Sequence, residues 1–281
     1  MEFEEIVVGP AAGPAQNELY LADVMGDAAL LGMDSVHEKD AAFQQMYRYV
    51  EDMQRLLRER AINEAELRDA RRETLFRLAM ASEMKNVGEI GHMIRVGLLA
   101  ATVAHRLGLP SAYCDRLSMA APLRNIGKVG TASLGNDDPD CQHAEIGAAI
   151  LGGSDSAELQ MAEHIARTHH EHYDGSGKPA GLSARDIPLS GRIVAVAAAF
   201  DRAMAGESPA LMSVERGVQA LMSGRGSRFD PTVVDAAIEC AHLYPSIYVL
   251  VEPRQETVSH DLLAELSELW KRLVRQGTRP D

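Results

Sequence analysis

The chain has 281 residues, 46% hydrophobic and 25% charged, which is enough for one large domain or two small ones around a substantial core. With 41 acidic against 28 basic residues the formal net charge is −13, so a long nucleic-acid polymer is disfavoured as a partner, although a small anion can still be held in a local pocket. Aromatics at 5% leave the core to Leu, Ala, Val, Ile and 13 Met, a composition suited to helix packed on helix. The acidic start MEFEEIVV is unlike a signal peptide, and stretches such as Val96–Ala104 are too short to span a bilayer. Cys114, Cys141 and Cys240 form no CxxC pair, which fits packing residues in a reducing, cytoplasmic setting.

Residues 1–38, broken by Gly9, Pro10, Gly13 and Pro14, are expected to form an N-terminal extension. Residues 39–85 form a helical segment. Phe43, Met46, Val50, Met53 and Leu57 follow the a/d spacing of a narrow apolar seam, which then weakens at Arg60 and Glu64. Two heptads serve equally a helix docked on its own domain and a dimerising or signal-transmitting helix. From residue 86 to 241 the pattern predicts a run of helices: Gly91–Leu107, Ser111–Asn125, Gln142–Leu151, Ser156–His170, Arg192–Met204, Val214–Met222 and Pro231–Cys240. Turn signals separate them, among them Gly108 with Pro110, the polar loop Gly135–Asp140, and Asp174–Gly177 with Pro179. In the tail, residues 242–281, Leu262, Leu263, Leu266, Leu269, Trp270 and Leu273 predict an amphipathic helix over Ser259–Arg275.

Chemistry concentrates at four of the ten histidines. His92 lies on the first helix of the run, His143 opens another in QHAEIG, and His169 and His170 are adjacent in THHEHYDGSGKPAGL. Any one alone would more often be a packed or exposed histidine than a ligand. An adjacent pair at a helix end, before a glycine-rich loop, can instead turn two imidazoles into one cavity while backbone approaches a ligand closely.

The blocks GEIGHMIR, LRNIGK, HAEIG, HHEHYDGSGKPAGL, IPLSGRIVAVAAAFDRAM and FDPTVV occur in that order over about residues 75–240. In this order the chain resembles the HD-GYP family, helical metal phosphohydrolases that cleave cyclic di-GMP. The resemblance implies an all-α, HD-type helical bundle carrying the N-terminal helical extension and the C-terminal amphipathic helix. It also implies metal-ligand positions at His92, His143, His169 and His170. The family's first-helix glutamate falls on Gly88, with Glu89 one place away as a partial substitute. Its His-Asp pair falls on Arg124 and Asn125, and the first aspartate of VADxFDAL falls on Ala198, while the later one is kept as Asp201. Three carboxylate positions are therefore empty, and hard cations need carboxylate oxygens to balance and bridge them. Arg124 carries only donors and a fixed charge, so it cannot ligate a metal.

Arg95, Arg124, Asn125, Lys128 and Lys178 are the candidate ligand-binding residues, with Lys128 the catalytic candidate if the protein is active. Arg124 can hold a phosphate with its guanidinium fork, or pair with Glu171 or Asp174 and fill vacated space. The cofactor these positions imply is a divalent transition metal (Fe, Mn or Zn) on nitrogen ligands, or none. The expected function is a non-catalytic HD-GYP-like signalling module that binds a partner protein or a nucleotide such as cyclic di-GMP. Two alternatives stand beside it, a divergent metal-dependent cyclic di-GMP phosphodiesterase and a structural homodimer with a vestigial pocket. Expected partners are a second copy of the chain, a signalling protein, or a cyclic dinucleotide, with no membrane. No sensor or receiver domain is recognisable, so input is expected to come by association with another chain.

Overall fold

The computed structural model describes residues 36–83, 87–131, 142–204 and 213–251. Among these residues the structure is helical: α1 Val36–Glu83, α2 Val87–Arg106, α3 Ser111–Ala120, a 3₁₀ helix Ala121–Val129, α4 Gln142–Leu151, α5 Ala157–Thr168, α6 Leu189–Met204, α7 Val214–Ser223, α8 Pro231–Glu239 and α9 Tyr244–Leu250. The predicted C-terminal helix Ser259–Arg275, the polar loop Gly135–Asp140 and residues 1–35 of the N-terminal extension lie outside the described residues. No helix among those described is long and apolar enough to cross a membrane.

Chain contacts divide the protein into two units, Met1–Leu67 and Arg68–Asp281, so the division falls inside α1 rather than at either end of the predicted segment 39–85. In the first unit, the seam residues Met46, Val50, Met53 and Leu57 are exposed, as are Tyr47, Tyr49 and Leu56 beside them.

The second unit is a bundle built around α2. Ile90, Met93, Ile94, Val96, Leu98 and Leu99 are all buried, so α2 is covered on every side, which its apolar sequence requires. It packs against α3, α6, α8 and α9, and α6 in turn carries α7. Asp230 caps α8 by accepting the Thr232 N–H, with Pro231 in the first turn where no amide partner is needed.

Two boundaries differ from expectation in ways that shape the site. The predicted helix Ser111–Asn125 ends at Ala120, and the chain tightens into the 3₁₀ helix that carries LRNIGK. Pro122 explains the change, because it lacks the N–H that would continue the α ladder. This tightened segment packs closely on α4 through Gly127, where a Cβ would overlap the His143 carbonyl oxygen and crowd the Gly147 amide. The bundle also continues past residue 241. Tyr244, Tyr248 and Val251 are buried, and Tyr244 meets Phe200 edge-on with ring centroids 5.3 Å apart.

Candidate functional site

A cavity of about 320 Å³ opens where the 3₁₀ helix, the start of α4, the end of α5 and one face of α6 meet. His143 is placed at its edge by the tight 3₁₀–α4 contact, and His169 and His170 by the end of α5. Their donor atoms all lie within 4.8 Å of one another. His143 Nε2 is 3.0 Å from His170 Nε2 and 3.4 Å from His169 Nε2. Zinc–nitrogen bonds of about 2.0–2.1 Å arranged tetrahedrally put ligand nitrogens about 3.3 Å apart, so these spacings fit one transition-metal ion.

Two histidines on the wall have their tautomers set from behind. His169 donates Nδ1–H towards the carbonyls of Ala166 at 2.9 Å and Ile165 at 3.1 Å, which leaves Nε2 with its lone pair facing its neighbours. Burial, then the nearby charges of His170, His143 and Arg124, push the His169 imidazolium well below its ordinary range, even though part of the ring edge opens on the cavity. His92 donates Nδ1–H to Asp201 Oδ2 at 2.6 Å. Burial lowers its pKa, against the pull of the Asp201 hydrogen bond. Burial pushes the Asp201 carboxyl up, but hydrogen bonds from His92 and Arg95 outweigh it and hold the group below the usual carboxylate range.

Arg95 shares a helix face with His92, as their spacing predicts, but that face turns both residues to Asp201 and Arg95 is off the cavity wall. Its Nε and Nη2 donate to the two Asp201 oxygens at 2.7 and 3.0 Å, and its Nη1 donates to the Val251 carbonyl. The expected ligand-binding role of Arg95 is thus replaced by a buried ion pair that fixes His92 from behind. Lys178 is exposed and off the wall. Glu89 is also off the wall and accepts from Arg202 Nη2 at 3.2 Å.

Asn125 and Lys128 do line the cavity, yet both are tied to a residue that local spacing did not reveal. Glu83, buried at the end of α1, accepts from Asn125 Nδ2 at 2.7 Å and from Lys128 Nζ at 3.0 Å. Ala198 lies on the wall where the resemblance puts a family aspartate.

Arg124 is 2% exposed and sits on the wall, and neither Nη atom has a hydrogen-bond partner among the described residues. The expected pairing with Glu171 or Asp174 does not form. Glu171 accepts backbone N–H groups from Ala180 and Leu182, and Asp174 accepts one from Ser176. Burial lowers the Arg124 pKa, opposed by the charges of Glu83 and Glu89. Among the described residues Glu171 is the one carboxylate on the wall; against it stand Arg124, Lys128, Arg202 and Arg228.

The sequence matches the HD domain family over residues 51–233. It is 35% identical over 201 residues to a cyclic di-GMP phosphodiesterase of Thermotoga maritima, covering 67% of this chain and 54% of that protein. It is 38% identical over 196 residues to the cyclic di-GMP phosphodiesterase response regulator RpfG of Xanthomonas campestris pv. campestris, covering 66% and 51%. A 3′3′-cGAMP-specific phosphodiesterase 2 of Vibrio cholerae is 35% identical over 185 residues, 62% of this chain and 35% of its own length. The chain therefore spans about half the length of the first two curated relatives and about a third of the last. The crystal structure of the V. cholerae cyclic GMP-AMP specific phosphodiesterase V-cGAP3 superposes with a TM-score of 0.51 at 19% identity, covering 70% of this chain and 53% of that one, which is a likeness of fold. Since the family match takes in well over half of the 281 residues, and the histidine blocks fall inside it, this chain belongs to the HD domain family.

Proposed function

We propose that this protein is an HD-GYP-like signalling module that binds a phosphate-bearing nucleotide, with cyclic di-GMP the first candidate, and does not hydrolyse it. The observation that carries the reading is the cavity wall itself. Ala198 and Asn125 stand where the resemblance puts carboxylates, Asn125 is spent on Glu83, and Glu171 is held by two backbone amides. Among the described residues the wall offers only this already engaged carboxylate, too few to bridge and charge-balance a pair of hard cations. The cationic groups that remain suit an anion instead.

His143, His169 and His170 fit a single metal, and they are the residues that would hold it, with His92 oriented by Asp201 at the same wall. A divalent transition metal there would supply Lewis-acid polarisation of a phosphoryl oxygen. That convergence favours a second reading, a divergent phosphodiesterase working with one metal. The names of the curated relatives support it as well.

One sample separates the two. Protein purified without a metal-affinity step is analysed for bound metal, then assayed for both binding and hydrolysis of cyclic di-GMP. Binding without turnover is the expected result, and turnover that tracks metal content replaces this reading with the second.

A further inference from the structure

Resting on that nucleotide-binding reading, we propose that Arg124 takes the place of a second metal: one phosphate group bridges a transition-metal ion held by His143, His169 and His170 and the guanidinium of Arg124. The first support is the contrast with Arg95, the other fully buried arginine among the described residues, and with the half-buried Arg192. Arg95 has Nε and both Nη atoms engaged by Asp201 and Val251. Arg192 donates to the Ile187 carbonyl and to Asp230. Arg124 is as buried as Arg95, and both of its Nη atoms lack a partner among the described residues. An enclosed guanidinium left in this state is costly, and its donors call for an acceptor that the described residues do not supply.

Local carboxylates do not meet that need. The oxygens of Glu83 accept from Asn125 and Lys128, Glu89 is engaged by Arg202, and Asp201 is shared by His92 and Arg95. These acids lower the cost of the charge at Arg124 from a distance and supply none of its hydrogen bonds. The guanidinium fork matches two oxygens of a phosphate, and a phosphate with a further free oxygen can also ligate the metal on the imidazoles. Lys128, Arg202 and Arg228 at the same wall extend the favourable field, and the cavity of about 320 Å³ has the room of a small-ligand site.

The arrangement implies coupling. Without the anion, a fixed positive charge beside the three imidazoles opposes a divalent cation. With the anion between them, each cation stabilises the binding of the other's ligand, and by linkage phosphate and metal must tighten one another equally.

The test is a Co²⁺ titration of the chelator-treated full chain, followed by visible absorption, with and without inorganic phosphate. In the wild-type protein phosphate should tighten Co²⁺ binding by about tenfold or more. Arg124→Met should bind Co²⁺ more tightly than wild type when phosphate is absent, and should lose the phosphate effect. Arg124→Lys, which keeps the charge without the fork, should retain a reduced effect, and His169→Ala should lose the Co²⁺ spectrum. No phosphate effect in wild type, or an undiminished one in either Arg124 variant, overturns the proposal. Cyclic di-GMP turnover by the metal-loaded wild type would refute the non-hydrolytic reading while leaving the coupling result standing. Nucleotide binding without turnover, together with uncoupled metal and phosphate, would refute this inference alone.

Discussion

Arg124→Met should make the metal-free, phosphate-free protein more stable. The wild-type side chain buries a guanidinium whose two Nη groups lack partners among the described residues. Each unsatisfied buried donor costs about 1–3 kcal/mol. The charges of Glu83 and Glu89 offset part of that, so the net gain on removing the charge is about 2 kcal/mol. Methionine is unbranched and flexible, so it refills most of the volume without a new polar group. For a domain of this size each kcal/mol moves Tm by about 2–4 °C, which gives a rise of about 4–8 °C. The assay is thermal unfolding by far-UV circular dichroism after exhaustive chelation. Adding phosphate with metal should narrow the gap, because only the wild type gains a bridging ligand that stabilises the folded state. A Tm unchanged or lowered in the variant would mean that Arg124 is satisfied in solution and helps to hold the bundle, and the reasoning from unpartnered donors would fail with it.

Asp201→Ala should do the reverse, since it leaves Arg95 buried without its ion-pair partner; a loss of about 3–5 kcal/mol is expected, and a Tm within a degree or two of wild type would contradict it. Gly127→Ala should impair folding outright, because the added methyl meets the backbone of α4; soluble protein with a native circular dichroism spectrum and normal Tm would show that the 3₁₀ helix yields more easily than its packing implies. Metal-free protein should lose Tm as pH falls from about 7.5 to about 5.5: His92 and His169 have folded pKa values below their unfolded ones, so the unfolded chain takes up protons that the folded one refuses, and a Tm that rises over this window would reverse the sign of the argument.

The bundle was legible because its signals are local. The apolar run of α2, the Asp230–Pro231 start of α8 and the glycine and proline punctuation each act over a few residues, and the helices fall within a few residues of their predicted spans. The exceptions have local causes as well: Pro122 converts the end of a predicted helix into the 3₁₀ turn that brings LRNIGK against α4. The order of the motif blocks made the histidine cluster legible too, since His143, His169 and His170 are fixed by short elements.

What the spacing could not supply were the partners of these residues. Glu83 lies 42 residues before Asn125, and Asp201 lies 106 residues after Arg95. Spacing correctly set His92 and Arg95 on one face but did not say what that face meets. These distant acids also explain the character of the cavity. Glu83, Glu89 and Asp201 are each consumed by a neighbouring cation, and all three lie behind the wall rather than on it. A cavity lined by Arg124, Lys128, Arg202 and Arg228 can then persist within a chain of net charge −13, because Glu83, Glu89 and Asp201 pair off the wall and Glu171 is held there by backbone amides. Net charge disfavours a polyanion-binding surface; it gives no information about a pocket whose charge balance is set by contacts so far apart in the chain.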